Sequence, residues 1–143
     1  IPGIAGFGAA AEAARNAIAA HDRIAKLRNR LEARLLDLTP GALIIGASTE
    51  RLPNTTCLAL PGHTAETLVI RFDLAGIAVS AGAACSAGKI GASHVLVAMG
   101  LDEATARSAI RFSIGPATTD RDIDRCLAAW REIAAHQRAQ TAA

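Results

Sequence analysis

From about Ala9 to Leu38 the apolar residues Ile18, Ile24, Leu27, Leu31, Leu35 and Leu38, with His21 among them, recur at steps of three and four. That spacing lines one face of a long α-helix. Arg15, Arg23, Lys26, Arg30, Glu32 and Arg34 take its other faces, and Thr39-Pro40-Gly41 supplies the stop. Two apolar runs follow, Ala42–Ile45 and Thr55–Leu60, each reading as a strand and separated by a polar segment with Glu50, Arg51, Pro53 and Asn54. Thr64 ahead of Glu66, Leu68, Val69, Phe72 and Leu74 predicts a capped short helix closed by Gly76, and Ile77–Val79 reads as a brief strand. From Ser80 to Ser93 nearly every side chain is small and glycine recurs, a composition that predicts a mobile loop. Short helices over His94–Met99 and Asp102–Ser108, a strand over Ile110–Ile114 and a last helix capped by Thr118 or Thr119 complete the pattern. In that helix Ile123, Cys126, Leu127, Trp130, Ile133 and Ala134 form the apolar stripe, and fraying is expected from Gln137. Helices and short strands in mixed order define the fold class α+β, a two-layer domain with a long N-terminal helix and a short sheet covered by helices.

Composition narrows the function classes. The 143 residues suit one domain, and 51% hydrophobic with 20% charged residues excludes a disordered chain. Fifteen basic against 13 acidic residues, with the signs interspersed, gives no nucleic-acid signature, and 3% aromatics leaves too few rings for stacking bases. No apolar stretch nears the roughly 20 residues of a membrane span, so no membrane association is expected and a cytoplasmic protein is. The opening Ile1-Pro2-Gly3 reads like the interior of a longer chain.

Cys57, Cys85 and Cys126 form neither a Cys-x-x-Cys pair nor an even set, which argues against a disulfide framework or a zinc finger. Cys57 in a strand and Cys126 on a helix stripe read as small hydrophobes. Cys85 lies among Ala, Ser and Gly with Lys89 four residues on. Two readings stay open from composition: an accessible thiolate nucleophile, or a tight small-residue turn. A P-loop fails on spacing, since five residues separate Gly82 from Gly88 and Ile90 follows Lys89. Cys85 with His94, or Cys57 with His63, offers only two metal ligands, so no metal is expected. Arg111, mid-strand, either recognises a carboxylate through two parallel hydrogen bonds, or simply faces outward into solvent, or pairs with Asp73 or Asp102.

Taken together, Arg51-Leu52-Pro53-Asn54-Thr55, the run Val79–Ser86, Ser93-His94-Val95-Leu96, Ala98-Met99-Gly100 and Ile110–Gly115 with Thr118-Thr119 resemble the carboxy-terminal part of a NifS/IscS-type cysteine desulfurase. These are class V aminotransferase-family enzymes that use pyridoxal 5'-phosphate. The resemblance runs along nearly the whole chain, and the length of the segment after Cys85 resembles the branch that serves iron–sulfur cluster assembly. It implies the small domain of a fold-type I enzyme over residues 1–143, with the cofactor-binding large domain absent from this chain. It further implies that Cys85 takes sulfur from L-cysteine as a persulfide, that L-alanine is released, and that Arg111 holds the substrate carboxylate. No role is carried over to His94. Neither Lys26 nor Lys89 matches the family's cofactor-linking lysine, so this chain alone is expected to be inactive. A homodimer when full length and a sulfur-acceptor protein, such as an iron–sulfur scaffold, are the expected partners. Pro116 stands where the family has arginine, and Ala81 and Ala83 where it has serines. A sulfur-relay or scaffold module of the same fold, a selenocysteine lyase and a transaminase are the alternatives.

Overall fold

The computed structural model describes residues 2–81 and 91–141, apart from the side chains of residue 20 and of residues 136–141. Helix α1 (Pro2–Ala17) runs into a single 3-10 turn, Ile18–Ala20, and then α2 (His21–Leu38). The expected long helix is thus two helices, and its buried face begins only at Ile24. Ile18 and His21 are exposed, a correction to the face read from the sequence. The tighter turn breaks the 3.6-residue phase at Ile18, and α1, Ala-rich and lacking any buried residue, has nothing to bury that would hold the phase.

Strands β1 (Leu43–Ile44), β2 (Thr55–Ala59), β3 (Ser80–Ala81) and β4 (Ala109–Ser113) make one antiparallel sheet in the order β1-β2-β4-β3. The strand expected at Ile77–Val79 is instead an approach segment, whose Ile77 and Val79 pack on the core while the ladder forms two residues later. Alternation of apolar residues reports contact with the core, whereas a ladder needs an opposite strand, and among the described residues of this segment β4 pairs with Ser80 and Ala81.

Pleating divides β2 and β4 into two faces. Leu58, Ile110 and Phe112 point toward α2, α3 (Ala65–Leu74) and α6 (Asp120–Thr141), where they join Leu31, Leu35, Leu68, Phe72, Leu127 and Trp130 in the main core. Phe72 meets Phe112 edge-on at 5.4 Å and stacks on Trp130 at 6.0 Å. Every residue of the expected α6 stripe is buried, and the helix runs to Thr141. Thr119 is its cap, exchanging bonds with Asp122. Among the described residues the opposite sheet face is covered at one end, by α4 (His94–Ala98) and α5 (Glu103–Arg107), where Leu96 and Ala106 pack with Ala59 and Ala109.

Candidate functional site

The half-covered sheet face carries the polar chemistry. Arg111 follows buried Ile110 and precedes buried Phe112, so the pleat that sends those two into the core turns Arg111 the other way. Cys57 of β2 and Ser80 of β3 lie directly opposite it, and Thr55 faces Ser113 one row further along. Cys57, like Ile45 and Ala92, packs at the margin of the small cluster under α4 and α5. Arg111 is half-buried and has no hydrogen bond or ion pair among the described residues. Neither acid weighed from the sequence pairs with it: Asp102 caps α5 through Thr105 N–H and the Thr105 hydroxyl, and Asp73 is exposed on α3.

Cys85 lies outside the described residues, as does Lys89. The described segments on either side of it both come to this sheet face. Ser80 sits opposite Arg111 on β3, and Ala92 packs against the small cluster that contains Ala59 and Leu96. The other two thiols sit where a thiolate is disfavoured. Burial pushes Cys126 up to about 12, and it pushes Cys57 up as well, with the Arg111 charge pulling the other way. His94 opens α4 and is exposed. His63 lies across the domain before α3, its pKa lowered by burial and by the Arg71 charge. Among the described residues no three His, Cys, Asp or Glu side chains converge on a point that could hold a metal ion.

Sequence reasoning singled out Arg111 but treated Cys57 as an ordinary strand hydrophobe and passed over Ser80 as loop. Both flank the arginine. The signal was available only in the phase of the strands, because which residues share a row depends on register, and register is set by pairing distant in sequence.

A short antiparallel sheet backed by three helices, with an arginine that has no ion pair among the described residues on its other face, defines a small α+β domain that presents a cationic strand position. Residues 1–126 match the family model described as "Aminotransferase class-V", and the chain belongs to that family. Within it the chain is 45% identical over 127 residues to a cysteine desulfurase of Cereibacter sphaeroides, covering 89% of this chain and 32% of that protein. It is 43% identical over 128 residues to the cysteine desulfurase of Gluconacetobacter diazotrophicus, again over 89% of this chain and 32% of the relative. Among solved structures, the NifS-like protein of Rickettsia africae superposes with a TM-score of 0.79 at 37% identity, covering 91% of this chain and 33% of that one. The chain therefore spans about a third of the length of the curated relatives it matches.

Proposed function

We propose that this chain acts as the small domain of a pyridoxal-phosphate-dependent cysteine desulfurase, working with a cofactor-binding domain that lies outside these 143 residues. The observation that carries the reading is Arg111. It is a guanidinium held mid-strand on a rigid sheet without a carboxylate partner among the described residues, in a chain 45% identical to a cysteine desulfurase. A planar guanidinium binds a carboxylate through two parallel hydrogen bonds, and mounting it on a strand fixes the direction from which an amino acid must approach. Arg111 thus takes the α-carboxylate of L-cysteine and orients the side-chain sulfur.

The family implies pyridoxal phosphate, which supplies an electron sink when bound. The described residues do not fit that group. Lys26, their single lysine, is exposed on α2, and α2 packs on the sheet face opposite to Arg111. The net conversion is balanced without another reactant: the Cys85 thiol gains one sulfur, L-cysteine loses it, and L-alanine leaves. A thiolate is the species that attacks sulfur, so Cys85 works best where its proton is easily lost. The persulfide then passes to a sulfur acceptor, in iron–sulfur cluster assembly or in thiolation.

The test measures alanine release and the mass of the Cys85 peptide after incubation with pyridoxal phosphate and L-cysteine, for the 143-residue chain and for the chain joined to its cofactor-binding domain. The joined protein is expected to release alanine and to gain one sulfur on Cys85, and the chain alone to do neither. In the joined protein Cys85→Ala abolishes release. Survival of full alanine release in that variant would falsify the assignment of Cys85. Arg111→Gln, which keeps hydrogen-bonding groups but loses the charge, raises the KM for L-cysteine on the order of tenfold or more.

A further inference from the structure

Three strands place Cys57, Arg111 and Ser80 in one row across the open sheet face, with the arginine in the middle. All three are half-buried. The Cys57 carbonyl accepts from Ile45 N–H at 2.9 Å on the β1 side, so Cys57 meets Arg111 as a pair without mutual backbone hydrogen bonds. In an antiparallel sheet that is the pairing that brings side chains closest. Every side chain placed next to the guanidinium by the ladder is therefore uncharged, and the next row holds only the hydroxyls of Thr55 and Ser113. An acidic cross-strand neighbour would stabilise a strand arginine modestly, since opposite charges placed opposite each other attract. Here the two positions that could supply one do not.

We propose that neutrality at positions 57 and 80 keeps the Arg111 cation uncompensated, and that these two residues set the affinity of the face for amino acids with a free α-carboxylate. This rests on the carboxylate role given to Arg111 above. The thiol contributes by staying protonated: burial outweighs the pull of the arginine, so no thiolate competes for the guanidinium at neutral pH. An aspartate in either place would occupy the two nitrogens that a substrate carboxylate needs. Cys57 and Ser80 are positioning residues, acting through Arg111.

The experiment compares isosteric charged and neutral substitutions in the protein joined to its cofactor-binding domain. Cys57→Asp and Ser80→Asp are expected to raise the KM for L-cysteine on the order of tenfold or more above that of the matching Cys57→Asn and Ser80→Asn variants, with kcat changing less than KM. An asparagine variant as impaired as its aspartate counterpart would show shape, not charge, at work and overturn the proposal, as would an aspartate variant with the wild-type KM. Absence of alanine release from the wild type would sink the desulfurase reading by itself. The row is then judged by labelling Arg111 with phenylglyoxal and weighing the peptide. Wild-type Arg111 is expected to react, and L-alanine to slow it. In Cys57→Asp the reaction is already slow and L-alanine adds nothing. Equal labelling and equal protection in the two proteins would overturn the proposal independently of turnover.

Discussion

Glu32 shows how a single buried charge is made tolerable. Arg51 donates to it from both guanidinium nitrogens, at 2.7 and 3.1 Å, and Arg28 approaches to 3.9 Å. Burial alone would raise the carboxyl, but the Arg51 hydrogen bond and the two positive charges outweigh it and leave Glu32 below the ordinary glutamate range. A carboxyl whose pKa is lower in the folded than in the unfolded chain adds stability above its unfolded pKa, and that stability disappears as pH falls through the folded value. Glu32→Gln is accordingly expected to cost about 1–3 kcal/mol near pH 7, with the difference from wild type shrinking in acid. Urea unfolding at pH 7 and at pH 3 would decide it, and a pH-independent difference would contradict it. Trp130 is a second case. Its indole N–H donates to the Thr39 hydroxyl at 2.7 Å within the core. Thr39→Val would leave that donor buried and unpaired, at a cost of about 1–3 kcal/mol in the same measurement.

Among the elements, α3 is delimited at both ends by features legible in the sequence. Thr64 accepts from Thr67 N–H at its start. At its end Ile77 N–H reaches Phe72 O and Gly76 N–H reaches Asp73 O, the paired bonds that close a helix around a left-handed residue. Gly76 has φ +71°, a conformation that strains any residue with a Cβ. Gly76→Ala should therefore lower stability by about 1 kcal/mol and no more, because the added Cβ would meet only Arg125 Nη2 at 3.9 Å. A much larger loss in thermal unfolding would mean that the turn carries more of the core's placement than the geometry indicates. This cap matters for the site, since it aims Ile77–Val79 at the core and so delivers Ser80 to Arg111.

Across the whole molecule, one core does the stabilising and α1 stands outside it. The main cluster starts at Ile24, and α1 buries nothing, leaving Ile4 and Phe7 about four-fifths exposed at 80% and 79%. Removing residues 1–17 is expected to change unfolding stability by less than about 0.5 kcal/mol, in line with exposed positions that share no core contact. A larger drop in the urea midpoint would show that α1 packs on the domain in solution. The two long helices, which share the apolar core, are tied by charge as well: Arg30 of α2 pairs with Asp120 and Asp124 of α6, and Arg23 donates to the Pro116 and Thr118 carbonyls. Those contacts hold the start of α6 against the segment that leaves β4, and thus hold the strand that carries Arg111.

Local chemistry fixed much of this protein before any tertiary contact was considered. The stripes of α2 and α6, the caps at Thr64 and Thr119, the glycine stop at Gly76 and the strand character around Arg111 all follow from side-chain periodicity and backbone preference, which act within a few residues. Motifs strung along the chain sufficed to mark the family. Other features depended on partners far away in sequence. Nothing near Ile18 announces that the helix phase breaks there, because the phase is held only where a neighbour buries it. Nothing in Ser80 or Cys57 announces that they flank Arg111, because a strand row is composed by register between segments dozens of residues apart. Whether Arg111 would be paired or left open could not be read from Asp73 and Asp102 in the sequence. The fold spent Asp102 on a helix cap and left Asp73 on an exposed helix face, and that placement is what leaves the cation without an acidic partner among the described residues.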